Sequence, residues 1–280
     1  MLRQRIITAL VLVALLLGAL TIDSNWPFAL LTLALIAAAG WEWARLNQAG
    51  AGLSLAMGAA VALAGVLALG GGWSSHAPDV VWWLAAALWL GAGVIALRSG
   101  PALWPQLPKV ARWVLGLVAL WAAWLAIAHA RAVGINFLLS VLCLVWMADV
   151  AAYFGGRAFG KRKLAPSISP GKSWEGVWSG MAGVLLLAAL WMWIDGHVGV
   201  DGPSLYSRLW HSGGPLGMTV ALLALCGLSV VGDLVESLVK RAAGAKDSSR
   251  LLPGHGGVLD RVDALLPVVP AAMALMTWAV

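Results

Sequence analysis

Nine largely apolar runs, separated by short polar stretches, dominate this 280-residue sequence and restrict it to one kind of fold. Each run holds about 17 to 22 residues, which as a helix rising about 1.5 Å per residue matches the hydrocarbon thickness of a bilayer. An isolated strand in lipid leaves its backbone N–H and C=O groups unpaired, so every run is read as a helix. The predicted spans are Ile6 to Ile22, Pro27 to Ala44, Ala51 to Leu69, Val80 to Leu97, Val110 to Ala128, Gly134 to Phe154, Trp174 to Ile194, Pro215 to Val231 and Val258 to Trp278. Composition points the same way: 61% of residues are apolar and 11% charged, against about 25% charged in soluble domains. The expected fold is an all-α polytopic membrane protein with about nine transmembrane helices.

Basic residues set the orientation. With the N-terminus in the cytoplasm, that side receives Arg3, Arg5, Arg45, Arg98, Lys109, Arg112, Arg157, Lys161, Arg162, Lys163, Lys172, Lys240, Arg241, Lys246, Arg250 and Arg261. Of the eighteen Lys and Arg only Arg131 and Arg208 fall outside, as the positive-inside rule expects. The C-terminus is then external, and the expected location is a bacterial-type inner (plasma) membrane. The first run has the outline of a secretory signal peptide, but it is long and no small-residue cleavage site follows Leu20, so it is read as a retained helix.

The net charge of +6 sits between membrane runs, which favours anionic lipid headgroups and phosphorylated substrates over nucleic acid. Cys143 and Cys226 each lie inside an apolar run and suggest neither a disulfide framework nor structural zinc. Tryptophans near predicted span ends, among them Trp26, Trp41, Trp73, Trp104 and Trp174, fit interfacial anchoring. Residues 1–133 carry almost no polar clusters and read as N-terminal membrane helices, whereas residues 134–280 carry the chemistry.

Two polar stretches break the pattern, from Asp149 to Gly176 and from Gly232 to Asp263. If the eighth helix continues past the membrane surface, Asp233, Glu236, Ser237, Lys240 and Arg241 fall on one face at i, i+3, i+4, i+7 and i+8. A carboxylate followed by two cations suits a divalent metal beside anionic oxygens; a solvated, ion-paired face is the plain alternative. Asp233 directly follows an apolar run, where a charge is costly, and this favours function.

Lys246-Asp247 precede the loop Pro253-Gly254-His255-Gly256-Gly257, whose glycines let backbone N–H groups wrap phosphate oxygens. Asp260 and Asp263 follow at i and i+3, with Arg261 turned elsewhere or toward a phosphate. His255 has no companions at zinc-ligand spacing and is read as a hydrogen-bonding group. Asp233, Asp260 and Asp263 form an oxygen-rich set that suits Mg²⁺, which takes one or two carboxylates and completes its shell with water and phosphate.

In the first stretch Asp149 and Tyr153 are i and i+4, followed by the cluster Arg157, Lys161, Arg162 and Lys163. A rigid turn from Pro166 to Pro170 then presents Lys172 and Ser173 just before a helix start, where N–H groups point at an anion. Gly171-Lys172-Ser173 is not a P-loop, because that pattern needs glycine where Pro166 stands.

The run Ser237, Lys240-Arg241, Lys246-Asp247, Pro253, His255-Gly256-Gly257 and Asp260-Arg261-Val262-Asp263 resembles the signature of the phosphatidate cytidylyltransferase (CDP-diacylglycerol synthase) family. Asp149, Tyr153, Gly156-Arg157, Gly160, Ser169-Pro170, Lys172 and Glu175-Gly176 are similar to that family too, with Ser173 where threonine is common. The specific resemblance covers roughly residues 149–263; the N-terminal half matches only as hydrophobic helices. It implies a homodimeric membrane enzyme making CDP-diacylglycerol and pyrophosphate from CTP and phosphatidic acid, with Mg²⁺ and, as a second cation, K⁺. Asp233 and Asp260 would be the metal carboxylates. Lys172, Lys240, Arg241 and Asp260 would be catalytic. Asp149, Tyr153, Arg157, Ser173, Ser237, Lys246, Asp247, His255, Gly256, Gly257, Arg261 and Asp263 would bind substrate.

Two rivals are weighed beside it. A CTP-dependent lipid kinase needs a positioned base to deprotonate an alcohol. A transporter would line mid-membrane helices with charge, whereas these polar residues collect at one surface. Pro267 and Pro270 either bend the last helix to open a lateral groove or are tolerated there.

Overall fold

The computed structural model describes residues 2–278; the side chains of residues 2–6 and of Ala9, Arg3 and Arg5 of the orientation argument among them, lie outside that description. Three helices open the chain: α1 (Leu2–Leu20), α2 (Asn25–Leu46) and α3 (Ala51–Gly70). After a single turn, α4 (Trp73–His76), α5 (Asp79–Leu88) runs through a π-helical turn at Trp89–Gly93 into α6 (Val94–Ser99). Then come α7 (Lys109–Val133) and α8 (Ile135–Phe159), a hairpin of β1 (Lys163–Ala165) and β2 (Ser169–Ser173), α9 (Trp174–His197), α10 (Leu205–Ala242), α11 (Leu259–Val262) and α12 (Leu265–Met276).

The architecture is all-α and polytopic. Among the described residues seven helices are long and apolar enough to cross a membrane: α2, α3, the joined α5–α6, α7, α8, α9 and α10. The first and last predicted spans are shorter, with an apolar part at Leu10–Leu20 and a final helix of 12 residues. The last span breaks between α11 and α12 because the Asp263 carboxylate accepts the Ala264 N–H at 2.8 Å, a local bond that competes with helical pairing.

Side-chain hydroxyls start several helices where the sequence leaves orphan N–H groups. Ser24 accepts from Trp26, Ser173 from Gly176 and Ser204 from Ser207. α10 is longer than its apolar run. It begins before a kink at Gly214, where φ is +62°, and continues to Ala242, so the polar stripe from Asp233 to Arg241 is helical, as its spacing predicts.

Lipid tails are as apolar as leucine, so helices in a bilayer associate through close packing of small residues and through polar contacts. α8 and α9 meet in this way: a Cβ on Gly180 would fall 2.9 Å from the Ala148 carbonyl oxygen. α12 packs as tightly on α10, since a Cβ on Gly232 would come within 2.4 Å of the Asp263 carbonyl oxygen and 2.9 Å of Pro267.

The tryptophans divide. Trp26, Trp174 and Trp193 are exposed, as anchors should be, but Trp104 is buried, which corrects its reading as an anchor. Its indole N–H donates to Asn47 at 2.9 Å, while Trp43 donates to the Arg112 carbonyl at 2.8 Å and Trp113 to that of Asn47 at 3.0 Å. These indoles tie the end of α2 to α7 and the preceding turn.

Candidate active site

A cavity of about 530 Å³ opens between α8, α9, α10 and β2. Asp149, Tyr153, Arg157, Lys172, Ser173 and Asp233, all singled out in the sequence, line it. The hairpin explains how Lys172 and Ser173 arrive: β1 and β2 pair antiparallel, Lys163 against Ser173 and Ala165 against Ser169. Trp174 N–H then bonds the Arg162 carbonyl at 2.9 Å. The proline-flanked turn of the sequence is therefore a short two-stranded clip that aims β2 at α10.

Across the cavity the Lys172 ammonium lies 2.6 Å from the Asp233 carboxylate, whose other oxygen accepts from the Ser237 hydroxyl at 3.3 Å. The Ser173 oxygen caps α9 by accepting the Gly176 N–H at 3.2 Å, which leaves its O–H hydrogen to donate. Arg157 donates to the Tyr153 hydroxyl at 3.4 Å, and Tyr153 itself is exposed. The other walls are small and apolar, with Ala148, Ala152, Gly180, Cys226 and Val230. Charge at one part and bare hydrocarbon at another is the lining an amphiphile requires.

The second polar stretch folds around Asp260. Its carboxylate accepts from Lys240 at 2.6 Å, from the Ser248 N–H at 2.9 Å and hydroxyl at 2.8 Å, and from the Gly257 N–H at 2.8 Å. Burial alone would raise this acid, but the Lys240 ammonium and the N–H donors outweigh it and hold Asp260 down at about 2. Lys240 also pairs with Glu236, which is buried at 2% exposure although it belongs to the polar stripe.

Gly256 has φ +87°, and a Cβ there would stand 2.8 Å from the Asp260 carboxylate. A Cβ on Gly257 would fall 2.0 Å from the Ser248 hydroxyl. Both glycines admit the backbone to the carboxylate cluster, so part of the N–H supply expected for phosphate is spent on Asp260.

Other residues of the signature hold the loop itself. Arg261 donates to the His255 carbonyl, at 3.1 Å through Nε. Arg241 donates to the Ile168 carbonyl at 3.3 Å and so fastens the hairpin to α10. Lys246 and Asp247 line a different cavity of about 590 Å³, with Arg45, Ser248, Ser249 and Arg250. Asp263 packs against α10 next to Asp233, since a Cβ on the neighbouring Gly232 would come within 2.4 Å of the Asp263 carbonyl oxygen.

Three acids that hold this region were not assigned a role in the sequence. Glu175 accepts the N–H groups of Lys161 and Arg162 at 3.0 and 3.1 Å and fastens the start of the hairpin to α9. Glu236 joins Lys240. Glu42 reaches the Asp260 loop from α2, and its one available signal was a lone acid between Trp41 and Trp43 near the end of an apolar run.

Among the described residues no three His, Cys, Asp or Glu side chains converge as a ready metal cage. The donor set is nevertheless oxygen-only, and one or two carboxylates suffice for Mg²⁺, which keeps several waters and takes phosphate oxygens. Asp233, Asp260 and Asp263 are the carboxylates of that chemistry in this region.

Comparison with known proteins extends the likeness over the whole chain. The model of the family described as "Cytidylyltransferase family" matches residues 3–279, so the N-terminal half, which the motifs had left as anonymous apolar helices, is part of the match. The phosphatidate cytidylyltransferase of Pseudomonas aeruginosa is 41% identical over 290 residues, covering 100% of this chain and 98% of the relative. That of Haemophilus influenzae is 36% identical over 292 residues, covering 96% of each. That of Brucella melitensis is 46% identical over 143 residues, 51% of this chain and 46% of the relative. On the strength of an end-to-end match to its model and to two full-length relatives, the chain belongs to the cytidylyltransferase family.

Proposed function

We infer that this chain transfers the cytidylyl group of CTP to phosphatidic acid, giving CDP-diacylglycerol and pyrophosphate in phospholipid biosynthesis. The observation that carries the reading is the cavity between α8, α9 and α10. It sets the Lys172–Asp233 pair against a wall of small apolar residues, so one opening suits a phosphate and a hydrocarbon together. The names of the full-length relatives point to the same substrates.

The chemistry asks for little beyond placement. The phosphatidate phosphate is already an oxyanion at neutral pH. Its oxygen attacks the α-phosphorus of CTP, the bond from that phosphorus to the α–β bridging oxygen breaks, and the electron pair leaves with pyrophosphate. No proton need be abstracted, so catalysis consists of bringing two anions together and stabilising charge on the leaving group. Lys172 and Arg157 line the cavity and would receive the lipid phosphate, and Lys240 would supply the cation beside Asp260. Asp233, with Asp260 or Asp263, would hold Mg²⁺, which when bound neutralises the triphosphate and the departing pyrophosphate. K⁺ as a second cation and a homodimer are expectations carried by the family resemblance.

We place the site at the cytoplasmic face of a bacterial-type inner (plasma) membrane with the N-terminus inside. In support, the Thr8 hydroxyl donates to the Pro253 carbonyl at 3.0 Å, and Arg45 at the end of α2 shares a cavity with Lys246 and Arg250. The start of α1 and the basic ends of α2 and α10 therefore lie at one end of the bundle. Arg131, one of the two cations assigned to the other side, is occupied there by the carbonyls of Leu20 and Ile22.

The test uses purified protein, phosphatidate and Mg²⁺ with CTP labelled either in cytidine or in the γ-phosphate. Cytidine label in the lipid is the expected result. Label that enters the lipid only from the γ-phosphate would make the protein a kinase instead.

A further inference from the structure

Glu42 sits on α2, more than two hundred residues from the loop that carries Asp260, yet its side chain is completely buried against that loop at 0% exposure. One carboxylate oxygen accepts the Val258 N–H at 3.0 Å and the Ser249 hydroxyl. The other accepts the Leu259 N–H at 2.6 Å and lies 3.2 Å from the Ser248 hydroxyl. Ser248 is also 2.8 Å from Asp260, so its single hydroxyl hydrogen stands between two carboxylates and serves one at a time.

A fully buried charge is retained only when its lone pairs are filled, and here both ends of the loop fill them. Residues 248 and 249 lie on one side of the glycine turn and residues 258 and 259 on the other. Glu42 thereby pins the two arms whose closure brings the N–H groups of Ser248 and Gly257 onto Asp260. Neither of the two nearest side chains does this from the same backbone position. Gln has an amide nitrogen that cannot accept, and Asp is one methylene too short to span both arms.

We propose that Glu42 is a positioning residue for the reaction, a buried clamp from α2 that fixes the Asp260 loop and, through Asp260, the Lys240 ammonium. This rests on the reading that the loop serves cytidylyl transfer. Glu42 is enclosed by the loop it holds, so it would act through the loop and not on a substrate. Its loss should act on turnover more than on lipid binding, because the lipid cavity is walled by α8, α9 and α10.

The experiment compares the full-length protein with its Glu42→Gln, Ser248→Ala, Ser249→Ala and Glu42→Gln/Ser248→Ala variants, all purified in detergent. Glu42→Gln is expected to lower kcat at least tenfold while KM for phosphatidate stays within twofold. Ser248→Ala acts through the same contacts, so the double variant should be no slower than the slower single variant. Wild-type kcat in Glu42→Gln, or losses in the double variant that multiply, would overturn the clamp.

If Glu42→Gln does not yield folded protein, Ser249→Ala deletes one donor from the rim and should lower kcat about threefold; an unchanged kcat there overturns the proposal equally. Limited trypsin digestion supplies a readout independent of the reaction. Cleavage after Lys246 and Arg250 should be faster in the variants, and unchanged cleavage in them counts against the clamp. Failure of the wild-type protein to make CDP-diacylglycerol would instead refute the functional reading.

Discussion

The Lys172 ammonium on β2 stands 2.6 Å from the Asp233 carboxylate on α10, and the two side chains are 27% and 28% exposed. A pair so open to solvent adds only about 0 to 1 kcal/mol to the fold. Its place in the cavity wall gives it a different use, since an arriving phosphate can take Lys172 from Asp233 and leave the carboxylate free for a cation. Asp233→Asn and Lys172→Met should each lower kcat/KM at least about 100-fold, the scale of a lost electrostatic group in a transition state. Unfolding stability in detergent should change by less than about 1 kcal/mol. Full activity in either purified variant would remove that residue from the mechanism.

Asp260 behaves differently because it is buried among four donors. Its side chain is 8% exposed in the ion pair with Lys240. Breaking a buried pair costs about 3 to 5 kcal/mol, less whatever Glu236 retains as the second partner of Lys240. Asp260→Asn should therefore abolish turnover and also lower the thermal midpoint, while membrane insertion persists.

The pH dependence of that loss has a definite sign. The folded carboxyl is held at about 2, below its ordinary value of 3.8. A depressed acid contributes stability in full above its unfolded pKa, and the contribution fades as pH falls toward the folded value. The difference in thermal midpoint between wild type and Asp260→Asn should stay constant from about pH 8 to 5 and shrink below about pH 4. A difference that shrinks already between pH 7 and 5 would show that Asp260 titrates within that range, far above the value of about 2.

Much of the fold was legible because membrane helices announce themselves one at a time: apolar length marked the seven long spans, and the i, i+3, i+4, i+7 spacing placed Asp233, Ser237 and Lys240 on one helical face. What a single helix cannot announce is its partner. The bond of Glu42 to Leu259 spans 217 positions, and that of Trp104 to Asn47 joins two segments that each read as ordinary membrane ends. The same blindness merged α11 and α12 into one run, because the break depends on a local bond at Asp263 and hydropathy does not register it. Lys246 and Asp247 read as substrate-binding residues beside the glycine loop, and the sequence could not say that the cavity they border is shared with Arg45 of α2.

The glycine turn is the tightest part of the site. A Cβ on Gly257 would stand 2.0 Å from the Ser248 hydroxyl and 2.4 Å from Glu42. Gly257→Ala must push apart two groups that already share hydrogen bonds with Asp260 and Leu259. Gly256→Ala adds backbone strain of about 1 to 2 kcal/mol, because φ there is +87°. Both variants should lose at least about tenfold in kcat, and tryptic cleavage near Lys246 and Arg250 should speed up. Wild-type kcat in the Gly257→Ala variant would mean that the loop opens before the chemistry.

Metal dependence is the remaining prediction to draw from the carboxylates. Asp233 is tied to Lys172 and the Ser237 hydroxyl and Asp260 to four donors, while Asp263 packs next to Asp233 and, among the described residues, its carboxylate accepts from the adjacent Ala264 N–H alone. If Asp233 and Asp263 share a cation, EDTA should stop turnover and added Mg²⁺ should restore it. Asp263→Asn should then raise the Mg²⁺ concentration for half-maximal rate at least about fivefold, since each ligand carboxylate contributes a large part of the affinity for a hard cation. Asp260→Asn offers the contrast: it removes turnover by unsettling Lys240 and the loop, so added Mg²⁺ should not rescue it. Recovery of Asp260→Asn by excess Mg²⁺, together with an unchanged Mg²⁺ requirement in Asp263→Asn, would assign the second ligand position to Asp260.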